Sequence, residues 1–257
     1  MKMKPALVVL ACLGLTFCAS RQTKLTKARE KDPQYQYNLG LFYLNSNSVD
    51  EAIQYLNKSL ALNPRHFLAW NALGLAQSMK GNFQEATAAL QKSLEINPQF
   101  TEARNNLGTI YQELGFVDKA EQEFKKALED VNYTSRELPY YNLARLYFLL
   151  GKIDEAYENV QKAIQIKRRL AMAHDLRGQI LEQKGDIEGA IDSYEEAVGM
   201  IPNETDFGFH LGAAYFKNDE FEEAREVLER ISPLVRDQAT KDKIKEYLDT
   251  IKGKKKD

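Results

Sequence analysis

The sequence is poor in residues that build disulfide frameworks and metal sites. Its 257 residues include two cysteines, Cys12 and Cys18, and no cysteine follows them. This excludes a disulfide framework or a thiolate metal site from the rest of the chain. The three histidines, His66, His174 and His210, lie far apart without ligand spacing. We therefore interpret them as packing or groove residues.

Signatures of catalysis and of nucleic-acid binding are also missing. The sequence has no glycine-rich phosphate loop, no H-E-x-x-H zinc motif, no G-x-S-x-G elbow and no cysteine nucleophile. The formal net charge is −2, and no nucleic-acid-binding motif occurs. We therefore predict no enzyme activity, no cofactor, no metal, no small-molecule substrate and no nucleic-acid partner.

The N-terminus has the pattern of a sorting signal. Two lysines precede an apolar run over residues 5–17, which is shorter than the roughly 20 residues of a membrane-spanning helix. We predict a signal peptide over residues 1–17. Cys18 directly follows the run, which resembles the lipobox of bacterial lipoproteins, where cleavage leaves a lipid-modified cysteine. In the alternative interpretation Cys18 is an apolar residue of a signal or short anchor, since Phe17 is not the small residue usual there.

The lipoprotein resemblance has consequences for location. Lipidation of Cys18 would anchor the chain stably if two or more acyl chains are attached. Ala19 is not the aspartate that tends to retain lipoproteins in the inner membrane, so the resemblance implies a periplasm-facing protein on the outer membrane. Residues 18–32 are then the lipidated N-terminus and a polar tether.

The rest of the chain is an internal repeat. Small residues form two series twelve positions apart, and both have spacings of 34, 34, 36, 34 and 34 residues. The first series is Gly40, Gly74, Gly108, Ala144, Gly178 and Gly212, and the second is Ala52, Ala86, Ala120, Ala156, Ala190 and Ala224. Apolar residues recur around both at helical spacing, and glycines such as Gly81 and Gly151 mark a turn within units.

A period of 34 with these markers is identified as the tetratricopeptide repeat. The predicted fold class is all-α: a right-handed superhelix of six helix-turn-helix repeats over residues 33–238, plus a C-terminal capping helix. The six units are 33–66, 67–100, 101–136, 137–170, 171–204 and 205–238. Glycine or alanine is expected where the two helices of a unit cross closely. The capping helix is predicted over residues 239–251, followed by a basic tail, 252–257.

A protein-binding groove is predicted on the face of the first helices. This first-helix face consists of the second, fifth, ninth and twelfth positions of each unit, and it is unusually apolar for a surface that meets water. Asparagine on it can grip a ligand backbone; alternatively, some of these residues pack between helices. The predicted groove residues are Tyr37, Leu41, Leu68, Asn71, Leu75, Asn105, Thr109, Leu138, Tyr141, Arg145, Phe148, Met172 and Phe209.

The one irregular spacing comes from two extra residues in the connector between the third and fourth units, within the stretch 130–144. We expect this connector to change the angle between two three-repeat halves. A lipoprotein signal, a short tether, six repeats and this longer connector together resemble the pilotin lipoproteins of type IV pilus assembly. The resemblance implies a non-enzymatic protein that carries secretin subunits, or other pilus assembly proteins, to the outer membrane and promotes their multimerisation. The alternative is an envelope scaffold for cell-wall enzymes or another secretion system.

Overall fold

The structure, a computed structural model, describes residues 29–254; the predicted signal peptide, Cys18 and most of the tether lie outside the described residues. From Pro33 onward it consists of thirteen helices packed in consecutive pairs, so the all-α prediction is confirmed. The helices are α1 (Pro33–Asn45), α2 (Val49–Leu62), α3 (Phe67–Met79), α4 (Phe83–Ile96), α5 (Thr101–Glu113), α6 (Val117–Glu129), α7 (Glu137–Leu149), α8 (Ile153–Ile166), α9 (Ala171–Lys184), α10 (Ile187–Met200), α11 (Thr205–Lys217), α12 (Phe221–Ile231) and α13 (Gln238–Lys254).

The chain forms two compact units, which divide between Glu123 and Phe124 inside α6. Unit 1 contains α1 to α5 and the start of α6, and unit 2 contains the end of α6 and α7 to α13. The first helix of each pair begins at the first residue of a predicted repeat. The effect of the connector on the angle between two halves stays a prediction.

Small residues let the two helices of a pair cross closely. A Cβ atom added to Gly40 would lie 2.7 Å from the side chain of Leu56, and one added to Gly178 would lie 2.5 Å from Tyr194. Both distances are shorter than real carbon–carbon contacts, and both partners are fully buried. The predicted reason for the glycine series is therefore confirmed at these crossings.

The turn inside each repeat needs one residue with positive φ. Gly81, Gly115, Gly151 and Gly185 supply it with φ of 71–80°. In the first and last repeats Asn47 (φ 57°) and Asp219 (φ 61°) stand at the same position. Asparagine and aspartate are the non-glycine residues that adopt this conformation most readily, so all six repeats share one turn.

The connector joins α6 to α7 through a short hydrogen-bonded turn. The backbone N–H of Asn132 donates to Asp130 Oδ1 (3.0 Å), and Arg136 Nη2 donates to the carbonyl of Leu128 (3.3 Å). Pro139 is buried as the third residue of α7, where its missing N–H would have no helical acceptor in any case.

The capping helix α13 starts one residue earlier and ends three residues later than predicted, so residues 252–254 are helical and not part of a tail. Its Ile244 and Ile251 are each 1 % exposed. Ile244 belongs to a cluster with Leu228, Ile231 and Val235. The cations in its last turn favour this extension, because they interact well with the carbonyl end of a helix.

Candidate protein-binding surfaces

The first-helix face of unit 1 is predominantly apolar. Tyr37 and Leu41 pack half-buried against the cluster around Leu56 and Leu73. Leu68 and Thr109 are also half-buried, and Leu75 is 36 % exposed.

Met79 adds to this surface and was missed by the sequence prediction. It is 52 % exposed, and it lies one helical turn after Leu75, on the same side of α3. Met79 is the thirteenth residue of its unit, whereas the face was predicted from the second, fifth, ninth and twelfth positions. An apolar residue four positions after another is the signal that could have found it.

The two asparagines of this face are buried. Asn71 and Asn105 are each 5 % exposed. Asn71 Nδ2 donates to Glu102 Oε1 (3.4 Å), and Asn71 Oδ1 accepts from Asn106 Nδ2 (2.9 Å). The fifth position of α3 therefore meets α5, and the amide of Asn71 is occupied within the protein. A contact between these amides and a ligand backbone stays a prediction.

In unit 2 the predicted residues of α7 and α9 differ in accessibility. Leu138, Arg145 and Phe148 are half-buried, and Met172 is 43 % exposed. Tyr141 is half-buried as well. Burial raises the pKa of its phenol, Arg145 lowers it, and Asp175 raises it further, so that the net shift is upward.

A polar cluster links α9 to α11 in unit 2. His210 Nδ1 lies 2.7 Å from Asp175 Oδ1, and Gln179 Nε2 donates to Asp175 Oδ2 at 2.7 Å. Burial acts to lower the pKa of His210. The hydrogen bond and the charge of Asp175, together with Asp206 and Glu182, outweigh it and raise the pKa above its ordinary value.

Phe209 lines a cavity of about 330 Å³ that includes the capping helix. Its ring centroid lies 6.3 Å from that of Tyr247, and Lys243 Nζ lies 6.0 Å from the Phe209 ring. Lys217 and Glu182 also line the cavity, and Lys217 Nζ pairs with Glu182 Oε1 at 3.3 Å. Phe209 was predicted from the sequence as a groove residue. The C-terminal helix was predicted only as a cap on the last repeat, so Lys243, Glu246 and Tyr247 were not predicted as lining residues.

A second cleft, of about 1040 Å³, lies among α8, α9 and α10. Arg168, Arg169 and Arg177 line it together with carboxylates of α10, including Asp192 and Glu196. Arg177 Nε donates to Ser193 Oγ at 2.9 Å. The two walls of the cleft thus carry opposite charges. The paired arginines in the α8–α9 turn are the sequence signal that could have indicated this cleft.

The histidines have structural roles. His66 Nδ1 accepts from the N–H of Ala69 at 3.1 Å and so caps α3. His174 is buried, and its Nε2 lies 2.8 Å from the carbonyl of Arg168. Trp70 and Arg104 stand at the same repeat position as His174 and likewise donate to the carbonyl six residues earlier. The interpretation of the histidines as packing or groove residues agrees with these contacts.

Within residues 29–254, no three His, Cys, Asp or Glu side chains are placed to hold a metal ion. No helix in that range combines the length and apolar character needed to cross a membrane.

Comparisons with solved structures give the same fold. PilF of Pseudomonas aeruginosa is 18% identical with a TM-score of 0.73, and the match covers 85% of this chain and 98% of PilF. PilW, a type IV pilus biogenesis factor, is 15% identical with a TM-score of 0.73 and coverages of 85% and 97%. Cut9–Hcn1 of the APC/C gives 18% identity and a TM-score of 0.78, over 88% of this chain but 45% of the other. At these identities the likenesses show the fold alone.

The comparison with curated proteins gave no match. One tetratricopeptide repeat profile matches residues 33–99 and 100–169, which is more than half of the chain. Two further profiles of the same description match residues 141–205 and 181–241. These repeats are typically scaffolds for protein partners and not catalysts. With its helix pairs, its close glycine crossings and these matches, the chain belongs to the tetratricopeptide repeat family.

Proposed function

We propose that the protein is a pilotin-like envelope lipoprotein. In this proposal acyl chains on Cys18 hold it at the outer membrane, facing the periplasm. The first-helix faces bind secretin subunits, or other proteins of type IV pilus assembly, and promote secretin multimerisation. It has no enzymatic activity and needs no cofactor.

The observation that carries the proposal is the extent of the likeness to PilF and PilW. Each match covers 85% of this chain and at least 97% of the other protein. The match to Cut9–Hcn1, by contrast, takes up less than half of that chain. The lipobox-like Cys18 and the short tether add independent sequence support.

The chemistry of the described surfaces suits a protein segment as ligand. In unit 1, Leu75 and Met79 offer exposed apolar area on one helix face. In unit 2, Met172 is exposed, and Phe209 lines a cavity together with lysine and glutamate side chains. Apolar anchors surrounded by charged groups are typical of surfaces that bind an extended peptide or an amphipathic helix.

Deletion of the gene tests the function directly. We expect secretin monomers to accumulate while detergent-resistant secretin multimers and surface pili are lost, as measured by immunoblotting and electron microscopy. Normal multimers and normal pili in the deletion strain would overturn the pilotin proposal and favour an envelope scaffold for other partners.

Complementation with surface variants tests the binding faces. Leu75→Lys and Met172→Lys place charge on exposed first-helix positions and should reduce multimer formation with little effect on folding. Phe116→Lys is the matched control, because Phe116 is 49 % exposed in the α5–α6 turn and lies outside the predicted face. Equal activity of all three variants would show that the partner binds elsewhere.

A further inference from the structure

The N-terminal edge of unit 1 is an aromatic surface on which few of the described residues pack. We define this N-terminal edge by Tyr35, Leu39, Phe42 and Tyr43, all on α1. Phe42 is 61 % exposed, and the other three are half-buried. α1 contains no charged residue, so nothing within the helix makes this edge polar in the way the outer face of a terminal repeat usually is.

The same positions are buried elsewhere in the repeat array. The residues equivalent to Phe42 are between 0 and 3 % exposed; they are Ala76, Ile110, Leu146, Ile180 and Ala214. The tyrosines equivalent to Tyr43 are 7 to 9 % exposed; they are Tyr111, Tyr147 and Tyr215. The N-terminal edge thus has the side chains of an internal packing surface, but no neighbouring helix pair covers it within residues 29–254.

Hydrogen bonds show what the neighbouring pair supplies. Tyr111 Oη accepts from Gln91 Nε2 at 3.1 Å, and Tyr215 Oη donates to Glu195. Each partner lies twenty residues earlier, on the second helix of the preceding repeat. For Tyr43 the described residues contain no preceding repeat. It packs instead on Phe42 (ring centroids 5.4 Å apart) and on Tyr55 (5.1 Å).

The other end of the array is covered. Ile244 and Ile251 of α13 are each 1 % exposed, because this helix packs on α11 and α12. One end of the repeat array therefore has a dedicated cap within the chain, whereas no helix among the described residues covers the phenylalanine and tyrosines of the N-terminal edge. An exposed aromatic surface of this kind indicates a contact with something apolar.

We propose that the N-terminal edge rests on the headgroup region of a lipid bilayer. This inference depends on the proposed lipid anchor at Cys18. Asp32, the N-cap of α1, is fourteen residues after Cys18, and even a fully extended chain of that length spans at most about 50 Å. The anchor therefore keeps the start of α1 within about 50 Å of the membrane surface. Tyrosine suits the position, because its ring is apolar and its hydroxyl can reach water or headgroups.

The charges next to the edge add an ionic component to the contact. Arg29 and Lys31 precede α1, and Glu30 and Asp32 lie among them, all exposed. Glu51 and Lys58 add one charge of each sign beside Tyr43 and Tyr55. The tether also contains Arg21, Lys24 and Lys27, so residues 18–32 hold five cations against two anions. High salt is therefore expected to weaken the ionic component, whereas the apolar contact of the edge itself persists.

Depth-dependent fluorescence quenching tests the contact. Trp70 is the single tryptophan, so Trp70→Phe gives a silent background in which Phe42→Trp reports on the edge. Phe116→Trp is the matched control, an exposed aromatic residue in the α5–α6 turn. The lipidated chain is placed in vesicles of phosphatidylethanolamine and phosphatidylglycerol, some of them brominated near the headgroup end of the acyl chains. We expect at least about twofold stronger quenching of Phe42→Trp than of Phe116→Trp, at low and high salt.

The outcomes separate this inference from the lipid anchor. Mass spectrometry of the purified protein reports whether Cys18 carries lipid, and a bare Cys18 would refute the anchor. In that case the chain starting at Cys18, which has a single thiol, is coupled to a maleimide lipid and measured in the same way. Membrane-bound protein with unquenched Phe42→Trp would overturn the inference. A blue shift of the tryptophan emission of Phe42→Trp that increases with protein concentration and does not change with brominated lipid would also overturn the inference. In that case a second copy of the protein would cover the edge.

Discussion

His210 and Asp175, 35 residues apart in sequence, join α9 to α11 through a 2.7 Å contact between Nδ1 and Oδ1. The imidazole is half-buried, and Asp206 and Glu182 add negative charge around it. Its pKa is therefore raised in the folded chain, so proton binding by His210 is coupled to the stability of unit 2.

The coupling predicts a pH dependence of a definite sign. The folded state holds the His210 proton more tightly than the unfolded state, where the pKa is about 6.5. The stabilisation is fully present below about pH 6.5 and is lost as the pH rises through the higher folded pKa. The stability difference between the wild-type chain and His210→Gln should thus be largest near pH 6 and shrink above it. Urea unfolding across this range measures it; a difference that does not vary with pH would refute the coupling.

The glycine crossings predict a contrast between two alanine substitutions in unit 2. An added Cβ at Gly178 would lie 2.5 Å from Tyr194, whereas one at Gly199 meets nothing within 4 Å. We expect Gly178→Ala to lose about 1–3 kcal/mol of unfolding free energy through overpacking. Gly199→Ala should be neutral or gain up to about 1 kcal/mol from helix propensity. Equal midpoints in urea for the two variants would contradict the crossing.

The repeat turn predicts a purely conformational effect at Gly151. Its φ is 71°, and no atom lies within 4 Å of an added Cβ. Gly151→Ala should therefore cost about 1–2 kcal/mol through the backbone alone. Gly151→Asn should cost less, because Asn47 adopts the same conformation in the first repeat. Thermal unfolding of the two variants provides the comparison, and a milder effect for alanine than for asparagine would argue against it.

Buried serines tie second helices to first helices in unit 1. Ser59 Oγ donates to the carbonyl of Pro33 at 2.7 Å, and Ser93 Oγ donates to Phe67 at 2.8 Å. Ser59→Ala should lower the unfolding free energy by about 1 kcal/mol, because it leaves the Pro33 carbonyl without this donor. The exposed Ser46, whose hydroxyl bonds within its own helix end, is the control, and Ser46→Ala should change stability by less than half as much.

Much of the fold could be predicted because the determining interactions are local or recur with the repeat. The crossing of Gly40 with Leu56 involves residues sixteen positions apart, and the same pair of residue types recurs at Gly74 and Leu90. The turn glycines were also predicted, but Asn47 and Asp219 were not, because a sequence pattern based on glycine does not show which other residues adopt positive φ.

The candidate binding surfaces could be predicted only in part. Helical periodicity places Leu75 and Asn71 on one face of α3, yet Leu75 is 36 % exposed and Asn71 is 5 % exposed. The difference arises because Asn71 meets Glu102 and Asn106 of α5. How far the next helix pair covers each position depends on packing between repeats, which periodicity within one helix does not contain.

The sequence by itself determined the repeat family, the number of repeats and the small residues at each crossing, because these features recur every 34 residues and depend on steric fit. The tertiary structure decided which predicted groove residues are accessible, that α13 lines a cavity with Phe209, and that Phe42 is far less covered by the described residues than its equivalents are. Each of these features depends on how residues far apart in sequence pack on one another. The repeat pattern alone does not contain that information.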